Sequence, residues 1–95
     1  MRNEPVEIYS DQNNAAVMRH PARRFPGVLV QGDNLFVLCE MADEACERIG
    51  RGAPGFEEAN EVRNALWSYL THYKSILLEH GLPLPFSEQQ KPDRR

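Results

Sequence analysis

Residues 14–35, NAAVMRHPARRFPGVLVQGDNL, decide the fold of this chain. Residues 15–19 (AAVMR) read as a strand weakened by two alanines, and the β-branched run Val28-Leu29-Val30 reads as another. Between them, His20–Gly27 forms a loop in which Pro21 and Pro26 bracket most of a basic cluster: Arg19, His20, Arg23 and Arg24. Proline fixes its own φ and restricts the residue before it, so these charges are presented on a stiffened arch. Gly32-Asp33 then ends the strand, and Asp33 is placed to cap a helix by accepting from the amides of its first turn. One segment thus holds a β-hairpin and a helix start, which points to a mixed α+β fold.

Upstream, residues 6–9 (VEIY) form a short alternating strand candidate, followed by the polar turn cluster Asp11-Gln12-Asn13-Asn14. Downstream, the three-to-four-residue periodicity predicts two helices, over residues 33–49 and 56–80. In the first, Leu35, Leu38, Ala42, Ala45 and Ile49 share a face, with Cys39 and Cys46 beside them. Phe36 and Val37 make its first turn apolar nearly all round, which predicts entry into the core beneath the sheet. In the second, the stripe is Ala59, Val62, Leu66, Tyr69, Leu70, Tyr73 and Leu77, and Gly81 is a fitting C-terminal stop. The glycine-rich linker between the helices is short enough to return an antiparallel partner. The expected architecture is therefore an antiparallel two-helix hairpin packed on a short two- or three-stranded sheet. Residues 1–86 make one α+β domain in this reading, and 87–95 a disordered polar tail.

Ninety-five residues, 41% of them hydrophobic, suffice for one small core. The net charge of −3 does not suit a dedicated nucleic-acid binder. Charge is unevenly spread. Seven acids lie between Glu40 and Glu61 against Arg48 and Arg51, while the loop near residue 20 is basic. No secretory leader or membrane-spanning run is apparent, and the cytoplasm is the expected compartment. Cys39 and Cys46, seven residues apart on one helix, are separated by roughly 10 Å, too far for a disulfide.

The segments VEIYS, NAAVMRHP, RRFPG and VLVQGDNL resemble a family of small bacterial proteins known only as a domain of unknown function. The similarity spans residues 5 to 50, and RRFPG followed by QGD is its most specific part. The family pattern favours glycine where Ala22 stands. The resemblance implies one compact bacterial domain and no particular activity.

Candidate chemistry is sparse. Arginines are the donors best suited to bidentate phosphate or carboxylate binding, which makes Arg19, His20, Arg23 and Arg24 a candidate anion site. The bland alternative is that these arginines pair within the chain and Phe25 plugs the core. No glycine-rich phosphate cradle accompanies them. Cys39, Cys46, His72 and His80 lack the spacing of a zinc site, and the cysteines read as small core residues, so no metal or cofactor is expected. No nucleophile elbow or paired histidine ligands are present, and Glu57, Glu58 and Glu61 are accounted for by the dipole of a helix start. The expectation is a non-enzyme.

Two features suggest protein binding. The outer face of the first helix carries Glu40, Asp43, Glu44 and Glu47, suited to masking a basic partner. Trp67 sits at the edge of the apolar stripe, as an interface anchor would, although a covering sheet or the Leu82–Phe86 segment would make it a core residue. The reading is a protein-binding module, such as an immunity or antitoxin-type inhibitor of a basic toxin, or a homodimer. The alternative is an anion- or nucleic-acid-binding regulator acting through Arg19–Arg24, with nucleic acid the less favoured ligand.

Overall fold

Among the described residues, five elements run in the order β1 (Glu7–Ser10), β2 (Ala15–Arg19), β3 (Gly27–Val30), α1 (Gly32–Ile49) and α2 (Phe56–Glu79). The computed structural model describes residues 1–12 and 15–87. The expected tail beyond Ser87, like Asn13 and Asn14 of the first turn, lies outside the described residues. The α+β class and the helical hairpin stand as the sequence predicts, and of the two or three strands expected the described residues form three. The chain divides into two compact units, Met1–Gln31 and Gly32–Arg95.

The first unit is an antiparallel meander in the order β1-β2-β3. Glu7 faces Arg19 and Ile8 faces Met18, and the ladder becomes irregular between Ile8 and Ser10. Across the other edge of β2, Ala15 pairs with Val30, Ala16 with Leu29, Val17 with Val28 and Met18 with Gly27. The central strand is half-buried throughout, while both outer strands are exposed. The small alanines therefore sit where two neighbouring strands shield them.

The β2–β3 connection is closed by a turn in which the Arg23 amide donates to the His20 carbonyl at 2.9 Å. Pro21 at the second position of this turn supplies the fixed φ that such turns favour. The Ala22 amide donates to His20 Nδ1 at 3.0 Å. Among the described residues no non-glycine has a positive φ, so alanine is accommodated at position 22 without strain.

In the second unit, α1 begins at Gly32, one residue before the expected start, so Asp33 lies inside the first turn. Its carboxylate still accepts from a first-turn amide, that of Asn34, at 2.8 Å. At the other end Gly50 adopts φ 84° and donates to the Cys46 carbonyl at 3.0 Å, a left-handed stop that favours glycine. Helix α2 ends as the sequence predicts. Gly81 donates to the Leu78 carbonyl and Leu82 to that of Leu77, at 3.1 and 2.9 Å, the paired bonds of a Schellman motif.

The helices run antiparallel: Tyr73 of α2 lies over Gly32 near the start of α1, and Trp67 reaches Asp43 farther along it. The seam between them differs in rotation from the periodicity reading. Its fully withdrawn residues are Gly32, Cys39 and Cys46 on α1, with Phe56, Arg63 and Leu70 on α2. Val62 and Tyr69, expected inside, are 57% and 63% exposed, and Leu38 also turns outward. Each helix has apolar residues in more than one sector, and a partner helix covers only one of them. Both cysteines are buried thiols within the seam. At the C-terminal end, Phe86 stacks on Phe36 with centroids 4.4 Å apart and planes 5° from parallel.

Candidate interaction surfaces

The basic arch is built at the closed end of the β2–β3 hairpin, and the structure divides its four residues. Arg19 belongs to the sheet. Its Nε donates to Glu7 Oε1 at 2.6 Å across the β1–β2 ladder, and its Nη1 donates to the Arg23 carbonyl at 2.9 Å. Tyr9 adds a hydroxyl donor to the same Glu7 oxygen at 3.3 Å. The hydrogen bond and positive charge of Arg19 hold the Glu7 carboxyl below its ordinary pKa, and Glu7 in turn raises that of Arg19. The Arg19 guanidinium is thus committed to joining strand to loop.

His20, Arg23 and Arg24 are exposed beyond it. Arg24 lies 5.4 Å from the centre of the Phe25 ring, and that ring is 71% exposed rather than plugged into a core. Of the candidate anion site, two arginine side chains and a histidine reach solvent together. The fourth member does structural work.

The acidic face of α1 is also divided. Glu40, Glu44 and Glu47 are exposed, and Arg48 donates to Glu44 Oε1 at 2.8 Å one turn along. Asp43, expected beside them, turns into the seam. There Oδ1 accepts from Trp67 Nε1 at 3.0 Å and stands 4.0 Å from Arg63 Nε. Asn60 Oδ1 accepts from Arg63 Nη2. A buried guanidinium is costly unless oppositely charged or polar groups surround it. Asp43 and Asn60 meet that need from opposite helices. This cluster escaped the periodicity reading because Arg63 occupies an inward position that a hydrophobic pattern assigns to Val62.

Trp67 is half-buried, with its one polar atom engaged by Asp43. The indole therefore clamps α2 to α1. The segment proposed to cover it, Leu82–Phe86, instead places Phe86 on Phe36.

A third surface follows from the rotation of the helices. Each residue turns a helix by about 100°, so residues beside the seam on α1 and α2 can be assigned to one side of the hairpin or the other. Leu38, Met41 and Ala45 fall on the same side as Val62, Ala65, Tyr69 and Ile76, and all seven are exposed. The opposite side carries Glu40, Glu44 and Glu47 from α1 and Glu57, Asn64, Thr71 and Ser75 from α2. The hairpin is a two-helix layer with a mainly apolar side and an opposite side that carries these acids.

Residues 1–86 match the family model described as Family of unknown function (DUF6959). The chain belongs to this family. The match covers both units, extending the resemblance carried by residues 5 to 50 to α2 and the Phe86 contact. No curated protein and no solved structure matches the chain. Among the described residues, no group of three or more histidines, cysteines, aspartates or glutamates is placed to hold a metal ion. No helix among them is long and apolar enough to cross a membrane.

Proposed function

We propose that this member of DUF6959 is a small non-enzymatic protein-binding module whose acidic helix face meets a basic surface of its partner, in the manner of an immunity or antitoxin-type inhibitor. The observation that carries this reading is the display of Glu40, Glu44 and Glu47 on one solvent-facing side of α1. The helix is held by the Asp43–Trp67 contact behind them. A rigid helix fixes the spacing of its charges before binding, which lowers the entropy lost on association. Like-signed carboxylates spread over about two turns attract a basic partner and speed encounter.

The test is charge reversal of Glu40, Glu44 and Glu47 to lysine together. Each is a surface change expected to move stability by no more than about 0.5 kcal/mol, so the variant should fold. Affinity capture from native cells should recover a basic partner with the wild-type chain and lose it with the triple variant. Recovery of the same partner by both would rule the acidic face out.

A further inference from the structure

We propose that the apolar face of the helical hairpin docks against the same face of a second copy of this chain, with Tyr69 on the two-fold axis. This surface is distinct from the acidic face and does not depend on its function.

Three observations lead to a second copy. The first is size. Helix α2 has 24 residues and α1 has 18, so the layer is about 30 Å long and, with helices spaced at about 8–10 Å, about 20 Å wide. The accessible area of such a face is of the order of the ~800 Å² that each partner contributes to a standard interface. Monomeric proteins rarely expose contiguous apolar patches of more than a few hundred Å², and Leu38, Met41, Val62, Tyr69 and Ile76 lie exposed together on this face.

The second observation is the order of residues along α2. Reading the face from its N-terminal end gives Glu58, Val62, Ala65, Tyr69, Tyr73, Ile76 and His80. These positions lie four, seven and eleven residues to either side of Tyr69, with His80 at the C-cap, and the residue types they carry complement one another across it. Placed antiparallel on a copy of itself, Tyr69 meets the Tyr69 of the partner. Val62 meets Ile76, and small Ala65 meets the flank of Tyr73, whose ring end lies over Gly32. Glu58 meets His80, a carboxylate against an imidazole, once at each end. A two-fold interface requires this self-complementarity, because every contact occurs twice with the roles exchanged.

The third observation is that α1 agrees with the same axis. The contacts of Gly32 with Tyr73 and of Asp43 with Trp67 bracket Leu38 and set it level with Tyr69. An axis through Tyr69 therefore brings Leu38 against its own copy, with Met41 and Ala45 flanking it. The acidic side of the layer cannot serve in this way, since stacking two copies there would bring Glu40, Glu44 and Glu47 against like charges.

Sedimentation equilibrium and oxidative cross-linking on the full chain test the proposal. The wild type should dimerise, and Tyr69→Glu should raise the dissociation constant by more than about thirtyfold, the scale of a central hot spot. Under mild oxidation Tyr69→Cys should form a covalent dimer, whereas Ser68→Cys, which points to the other side of α2, should not. The native Cys39 and Cys46 are buried and do not compete. Glu58→Lys should weaken the dimer, and adding His80→Glu should restore it. A chain that stays monomeric at every concentration, with Tyr69→Cys uncrosslinked, would mean that the face is covered from within the chain or by an unrelated partner, and would overturn the proposal. A dimer indifferent to Tyr69→Glu would overturn it as well, by placing the contact elsewhere.

Discussion

In the helical hairpin Leu70 and Cys39 are wholly withdrawn from water, whereas in the sheet no strand residue is buried and Ile8, Val28 and Leu29 stay more than half exposed. The hairpin combines apolar burial with a polar cluster, Asp43, Asn60, Arg63 and Trp67, that spans the two helices. The sheet is joined by its backbone ladder and by a cross-strand ion pair at its surface, Glu7 with Arg19. A contact shielded from water keeps its full effect, while an exposed ion pair is weakened by solvent and salt. Loss of one side chain should therefore be felt strongly in the hairpin and weakly in the sheet.

The sharpest way to break this contrast is Leu70→Ala against Val28→Ala. Truncating a fully buried leucine removes transfer energy and leaves a cavity, for a cost of about 2–5 kcal/mol. At 63% exposure, Val28 has little burial to lose. Denaturant melts followed by helical circular dichroism should show a large shift for the first variant and a small one for the second. Equal shifts would mean that the two regions share one cooperative core.

A smaller effect is expected at Gly32, where an added Cβ would clash with the Tyr73 ring. Gly32→Ala forces the ring aside and should cost about 1–3 kcal/mol, the usual range for overpacking. The double variant with Tyr73→Ala should recover much of that loss, since the clash disappears with the ring. Additive costs in this cycle would show that the close approach is not the reason for glycine.

The smallest effect belongs to the sheet. Because the folded Glu7 carboxyl titrates below its ordinary pKa, its pairing stabilises the fold at pH values above the unfolded carboxylate range. That contribution is lost as pH falls through the lowered folded value. Glu7→Gln should flatten this part of the acid limb of the stability curve and leave the rest unchanged. An NMR titration in which Glu7 protonates at or above the ordinary value would dissolve the pair.

Much of the fold is legible in the sequence because it rests on local rules. Proline and glycine mark the boundaries at Pro21, Gly50 and Gly81, and three-to-four-residue spacing marks both helices, with ends displaced by one residue at most. Local rules are less informative about rotation. Val62 and Arg63 are adjacent, and preferring the valine as the inward residue is sound until a partner helix supplies Asp43 beside the Asn60 of Arg63's own helix. The same non-local choice withdrew Asp43 from the acidic face, gave Trp67 a partner, and left Tyr69 outside.

By itself, then, the sequence determined the elements, their order, the stiff basic arch and the acidic character of α1, because backbone preference and side-chain period are properties of neighbouring residues. Only the tertiary structure decided which apolar sector of each helix closes the seam, and that Arg19 serves the sheet. Those outcomes depend on which groups meet across α1 and α2, or across β1 and β2, from residues twelve to some forty positions apart in the chain.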